Sequence, residues 1–183
     1  MSVTRPEQHP RVPDGYDRLW TPHRMAYIDG ENKPVDDGAG PGCPFCRAPG
    51  EPDEQALIVH RGQSCYVVLN LYPYNPGHLL ICPYRHVPDL TEMTAVERAE
   101  MTELAATAMV TLRRIKDCDG FNLGMNAGPV AGAGVAAHVH QHVVPRWAGD
   151  ANFLPIVGQT KALPELLGDT REQLAAGWGD GPR

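Results

Sequence analysis

The chain reads as an α+β domain, an antiparallel sheet backed by one long helix and a C-terminal helix. Three observations predict this class. Short apolar runs bounded by turn residues come first. One long stretch, 94–116, then repeats its apolar residues at helical spacing. A second set of strand-like segments follows and leads into a terminal helical stretch at 163–176.

The elements follow in order. Residues 1–15 are rich in proline and glycine and form an expected flexible tail, and a short helix within 16–28 is interrupted by Pro22. The stretch 34–53 reads as loop. Residues 56–60 (ALIVH) and 65–70 (CYVVLN) are apolar runs separated by Arg61-Gly62-Gln63-Ser64, the pattern of a hairpin. The turn-rich LYPYNPGH leads to a third strand at Leu79-Leu80-Ile81-Cys82. In 94–116, Val96, Met101, Leu104, Ala105, Ala108, Leu112 and Ile115 fall near one helical face, with Glu97, Glu100, Arg113 and Arg114 largely opposite. Thr91 or Thr94 caps this helix and Asp119-Gly120 closes it. A fourth strand at 121–125 and a loop of small residues at 126–137 precede the last strand.

At 183 residues with 42% hydrophobic content, residues 16–183 fit one domain with one substantial core, followed by an extension from about 148. A formal net charge of −6 argues against a general nucleic-acid binder, which needs a basic surface. It leaves room for a small anionic substrate in a local pocket. The amino terminus shows no apolar secretory segment, and no stretch is long enough to span a bilayer. Five cysteines, odd in number and without a framework, fit a reducing cytoplasm.

The last strand carries the chemistry. His138-Val139-His140-Gln141-His142 alternates at period two, so the three imidazoles share one face, roughly 6–7 Å apart along a regular strand. A neutral imidazole can displace a leaving group from phosphorus, with flanking histidines donating to the non-bridging oxygens. Metal ligation is the other use of such a row. The preceding loop, Asn126 to Val135, lets backbone N–H groups approach phosphate closely, which favours the first use. Cys43-Pro44-Phe45-Cys46 has the spacing of a metal knuckle, while Cys65, Cys82 and Cys118 stand singly. Cys65 and Cys82 fall in apolar strands and read as buried small hydrophobes. His9, His23 and His60 read as surface or satisfied histidines.

Together, HVHQHVVPR, Asn70-Leu71-Tyr72-Pro73 before Asn75-Pro76-Gly77-His78, and His86 after the third strand resemble the histidine-triad (HIT) superfamily over about 56–147. The segments around Leu19–Met25 and from Trp147 to about 178 resemble its branch containing bacterial diadenosine tetraphosphate phosphorylases. That resemblance implies a HIT fold with a five-stranded antiparallel sheet, a homodimer, and no organic cofactor. It implies cleavage of a dinucleoside polyphosphate or adenylylated substrate, by phosphorolysis or hydrolysis, through a nucleotidyl-His140 intermediate. His142 would bind the α-phosphate and His138 orient the site. Asn70 would hold ribose hydroxyls and Asn126 phosphate, with Gly134, His78 and Trp147 lining the substrate pocket.

In zinc-containing members of that family, the cysteine pair joins a histidine after the third strand and the first triad histidine. The resemblance therefore implies a structural zinc on Cys43, Cys46, His86 and His138. In the phosphorylase branch a serine usually stands at the position of Gly134. Here Ala133, Gly134 and Val135 carry no hydroxyl. Two alternatives follow from that bare loop: a scaffold turned to a different reaction, or a zinc-stabilised nucleotide-binding protein without catalysis.

Overall fold

Two apolar runs, each ended by turn residues, pair first: β1 (Ile58–Arg61) lies antiparallel to β2 (Cys65–Leu69), with a bulge between Ile58 and His60. The computed structural model describes residues 42–150 and 164–179. The expected tail at 1–15 and helix at 16–28 lie outside the described residues, as does much of the extension after 148. Next come β3 (Leu79–Pro83), α3 (Ala95–Lys116), β4 (Gly120–Gly124), β5 (Gln141–Arg146) and α4 (Leu167–Ala176). A short helical turn, α1 (Pro44–Arg47), stands where the sequence suggested loop, and a second, α2 (Asp53–Ala56), takes the end of that loop and Ala56, expected to open the first strand, which begins instead at Ile58. The five strands form one antiparallel sheet in the order β1-β2-β3-β5-β4. The α+β class expected from the sequence is the class observed.

Alternation along β2, β3 and β5 divides the sheet into two faces. Cys65, Val67, Leu69, Leu79, Ile81 and Val143 face the helices and bury against Met101, Leu104, Ala108 and Leu112 of α3 and Leu174 of α4. Tyr66, Val68, Leu80 and Cys82 face the other way, where Phe45, Ala48, Ala56 and Tyr84 cover them. Cys65 and Cys82 are buried, as expected of small apolar side chains.

Thr94 caps α3 with a reciprocal capping box: its hydroxyl accepts from the Glu97 amide at 3.2 Å, and Glu97 Oε2 accepts from the Thr94 amide at 2.7 Å. This reverses two positions expected from helical periodicity. Glu97 is buried and Val96 is 68% exposed, because the Glu97 carboxylate turns inward to the cap and to Arg85, which donates from Nε at 2.6 Å and Nη2 at 2.7 Å. The helix also closes early. Asp117 takes the left-handed conformation at φ 49°, and Asp119-Gly120 leads into β4, with the Asp119 amide donating to the Arg146 carbonyl at 2.8 Å.

One further contact ties α3 to the β1–β2 hairpin. The Glu100 carboxylate accepts from the amides of Gln63 at 2.6 Å, Ser64 at 2.6 Å and Cys65 at 3.1 Å. Gly62 fits because a Cβ there would collide with that carboxylate and with the Cys65 carbonyl oxygen.

Candidate functional site

The ladder between β3 and β5 begins at the pair Ile81–Gln141 and runs through Leu80–His142 and Leu79–Val143. His142 therefore sits in the sheet, opposite Leu80 and on the face away from α3. His138 and His140 lie just upstream of the regular strand, held there by the Val139 amide donating to the Val87 carbonyl at 2.7 Å. The rings of His140 and His142 are 5.0 Å apart at 62°, closer than a regular strand would set them. His138 and His140 are buried, and His142 is half-buried.

Hydrogen bonds that trace back to backbone groups select the tautomer of each ring. His140 Nδ1 lies 2.9 Å from the His138 carbonyl oxygen. A carbonyl can only accept, so Nδ1 carries the proton and Nε2 presents its lone pair. His138 Nε2 lies 2.9 Å from the Pro83 carbonyl oxygen, so there Nε2 carries the proton and Nδ1 the lone pair. His142 is set through His78, whose Nδ1 accepts from the Tyr74 amide at 3.1 Å. His78 thus carries its proton on Nε2, which donates to His142 Nδ1 at 2.9 Å. Neutral His142 is then an Nε2–H donor. Burial, the largest cause, pushes His140 below its ordinary value. Burial and the neighbouring His140 lower His142 to about 4. Both imidazoles are neutral at physiological pH.

The Nδ1 lone pair of His138 faces sulfur. It lies 3.4 Å from Cys43 Sγ and 3.5 Å from Cys46 Sγ, and His86 Nδ1 lies 3.3 Å from Cys46 Sγ. All four ligand atoms fall within 4.8 Å of one another. The edges of a tetrahedral site with these ligands measure roughly 3.3–3.8 Å, so this group could hold a metal ion. Burial, the largest cause, pushes the Cys43 thiol up to about 11, with a further push from the neighbouring Cys46; a divalent cation reverses that preference, because a coordinating thiol is deprotonated. The Pro83 carbonyl on His138 Nε2–H is the outer partner that orients a histidine ligand. Cys43 precedes the single turn of α1, whose Cys46 and Arg47 amides both donate to the Cys43 carbonyl at 3.1 Å.

The remaining expected site residues are distributed as follows. Asn70 closes the turn before β3, its Oδ1 accepting from the Tyr72 amide at 3.0 Å and its Nδ2 lying 3.3 Å from His78 Nδ1. Asn126 spans the small-residue loop, its Nδ2 donating to the Gly132 carbonyl at 3.5 Å. Gly134 sits in that loop between buried Ala133 and Val135. Trp147 lies away from these histidines: its ring packs on the helix side of the sheet and its Nε1 donates to the Lys116 carbonyl at 3.2 Å. Strand alternation explains this, since Val143 and Trp147 share a parity opposite to that of His140 and His142. His60, expected to be satisfied, stacks on Trp178 at 5.0 Å and 13°.

Sequence reasoning missed three participants. Tyr74 stacks on His142 at 6.0 Å and 12° and supplies the amide that fixes His78. Phe45 lies against both His138 and His140. Asp150 accepts from Arg146 Nε at 2.7 Å and from Asn75 Nδ2 at 2.8 Å, and so ties the end of β5 to the NPGH turn. The Asn75 to Asp150 distance in sequence hid the last of these.

Residues 51–149 match the HIT domain. The chain is 46% identical over 173 residues to "AP-4-A phosphorylase" of Mycobacterium tuberculosis, covering 92% of this chain and 88% of that protein. It is 30% identical over 93 residues to "Bis(5'-nucleosyl)-tetraphosphatase [asymmetrical]" of Schizosaccharomyces pombe, covering 51% of this chain and 50% of that protein. Among solved structures, a Zn-bound histidine triad family protein from Mycobacterium smegmatis superposes with a TM-score of 0.61 at 26% identity, over 74% of this chain and 92% of that one.

Proposed function

This chain belongs to the HIT family, and from that premise we propose that it cleaves dinucleoside polyphosphates through His140, with inorganic phosphate as the acceptor. The observation that carries the reading is the hydrogen bond from His140 Nδ1–H to the His138 carbonyl at 2.9 Å. It leaves Nε2 as an unprotonated nucleophile on a ring that burial keeps neutral.

Nε2 of His140 forms a bond to the α-phosphorus, and the bridging P–O bond breaks. The electron pair leaves with the nucleoside polyphosphate. A phosphate oxygen then attacks the same phosphorus, the P–N bond breaks, and the lone pair returns to Nε2. His142, its proton held on Nε2 by the His78 relay, donates to a non-bridging oxygen whose charge shifts during transfer. Diadenosine tetraphosphate and phosphate would yield ADP and ATP.

The cysteine–histidine group is read as a zinc site: two thiolates and two imidazoles suit that ion, and four protein ligands close its coordination, giving it a structural role. A homodimer is supported by β4 at the sheet's edge, where Leu123 is 45% exposed. No described helix is long and apolar enough to cross a membrane. The five free cysteines support a reducing, cytoplasmic setting.

Product analysis tests the reading. With diadenosine tetraphosphate and phosphate, the expected products are ADP and ATP, and His140→Ala abolishes both. AMP and ATP would identify water as acceptor, the outcome that the hydroxyl-free 133–135 loop leaves to compete. Wild-type turnover by His140→Ala would overturn the nucleophile assignment.

A further inference from the structure

We propose that Phe45, which with Pro44 lies between the two cysteines, is a positioning residue that ties the His140 ring to the metal knuckle. The inference rests on the reading of His140 as the nucleophile. Three contacts carry it. The Phe45 ring lies 4.8 Å from the His140 ring at 43° and 5.5 Å from the His138 ring at 69°. It therefore touches the nucleophile and the ligand whose carbonyl orients the nucleophile. His140 also meets the His142 ring at 5.0 Å, so the imidazole has a ring neighbour in Phe45 and another in His142.

Phe45 is itself anchored at both ends. Its neighbours Cys43 and Cys46 belong to the four-ligand group, and its carbonyl accepts from the buried Tyr66 hydroxyl at 2.8 Å. The ring also packs against the cluster of Ile58, Tyr66, Val68, Leu80 and Cys82. The His138 hydrogen bond fixes one ring atom; the Phe45 contact fixes the plane. Attack in line with the leaving group needs both, because a small misplacement of a reacting atom is costly.

The test uses the metal-loaded protein with diadenosine tetraphosphate and phosphate, comparing wild type with Phe45→Leu and Tyr66→Phe. Leucine keeps apolar volume and removes the ring; the tyrosine change loosens the Phe45 backbone without touching the site. Phe45→Leu is expected to lower kcat about five- to tenfold with KM within about twofold, and Tyr66→Phe to do the same more weakly. Metal content stays at the wild-type value. In long-range 1H–15N spectra, the His140 Nδ1–H signal of Phe45→Leu broadens or shifts.

An unchanged kcat and an unchanged His140 signal would overturn the proposal. A rise in KM alone would also overturn it and make Phe45 a substrate-lining residue. So would recovery of kcat when excess zinc is added, which would limit Phe45 to metal retention. If wild type forms no adenylyl-His140 adduct by mass spectrometry, the nucleophile reading fails instead. The His140 ring signal still reports then whether Phe45 holds that ring.

Discussion

His78 Nε2 and His142 Nδ1 lie 2.9 Å apart, and the proton between them belongs to His78. The Tyr74 amide occupies His78 Nδ1 and leaves no other neutral tautomer. Since His142 is half-buried and His78 is fully buried, the polarity of the outer ring is decided by a backbone amide on the far side of the inner one.

Replacing His78 with Phe removes that donor while filling its volume. His142 is then free to place its proton on either nitrogen. The expected result is a fall in kcat of about tenfold or more, with a mixture of His142 tautomers in 1H–15N spectra. A single unchanged tautomer would show that the relay does not set it.

The pH dependence of stability follows from His142. Its folded value is lowered to about 4 from an ordinary 6.5. Between these values the unfolded chain binds a proton that the folded chain does not. The His142 contribution is thus complete above about pH 6.5 and is lost as pH falls toward 4. Urea unfolding from pH 7.5 to 4 is expected to show this loss in wild type, and a shallower slope in His142→Asn. Equal slopes in the two proteins would contradict it.

A metal held by Cys43, Cys46, His86 and His138 would tie α1 to the sheet, and its removal is expected to weaken the fold there. Chelation of the loaded protein, or Cys46→Ser, is expected to cost about 3 kcal/mol, the scale for a ligand held far above its dissociation constant. Metal analysis with thermal melts checks this. A melting temperature indifferent to chelator would exclude a structural ion.

Glu100→Ala releases three hairpin amides at once. A destabilisation of about 2–3 kcal/mol is expected, read from urea midpoints, with kcat unchanged because the clasp holds the β1–β2 turn, and β3 lies between that hairpin and β5. A stability within experimental error of wild type would mean water replaces the carboxylate without loss.

Much of this was legible in the residues themselves. Alternation at His138, His140 and His142 put three imidazoles on one face; the cysteine spacing marked a metal knuckle, and the family resemblance added His86 and His138 to give the ligand group that the fold brings together. The five strands and α3 followed from apolar periodicity and Thr94. What periodicity could not show were choices made by single polar groups. Glu97 is drawn inside by Arg85 and the cap, against its helical phase. Phe45 reads as a filler between two cysteines until α1 folds over the histidines. The tautomers depend on carbonyl oxygens, which have no signature in a list of side chains.

The sheet stops pairing at Gln141 for a reason with wider consequence. Across from the approaching chain stands Pro83, which has no N–H to offer, and its carbonyl is taken by the His138 imidazole. The short unpaired approach keeps the His138 carbonyl turned toward His140. Substitutions selected only for thermal endurance would tend to lengthen the ladder upstream and draw that carbonyl into pairing. A sheet zipped two residues further would outlast this one in the heat and lose the aim of its nucleophile.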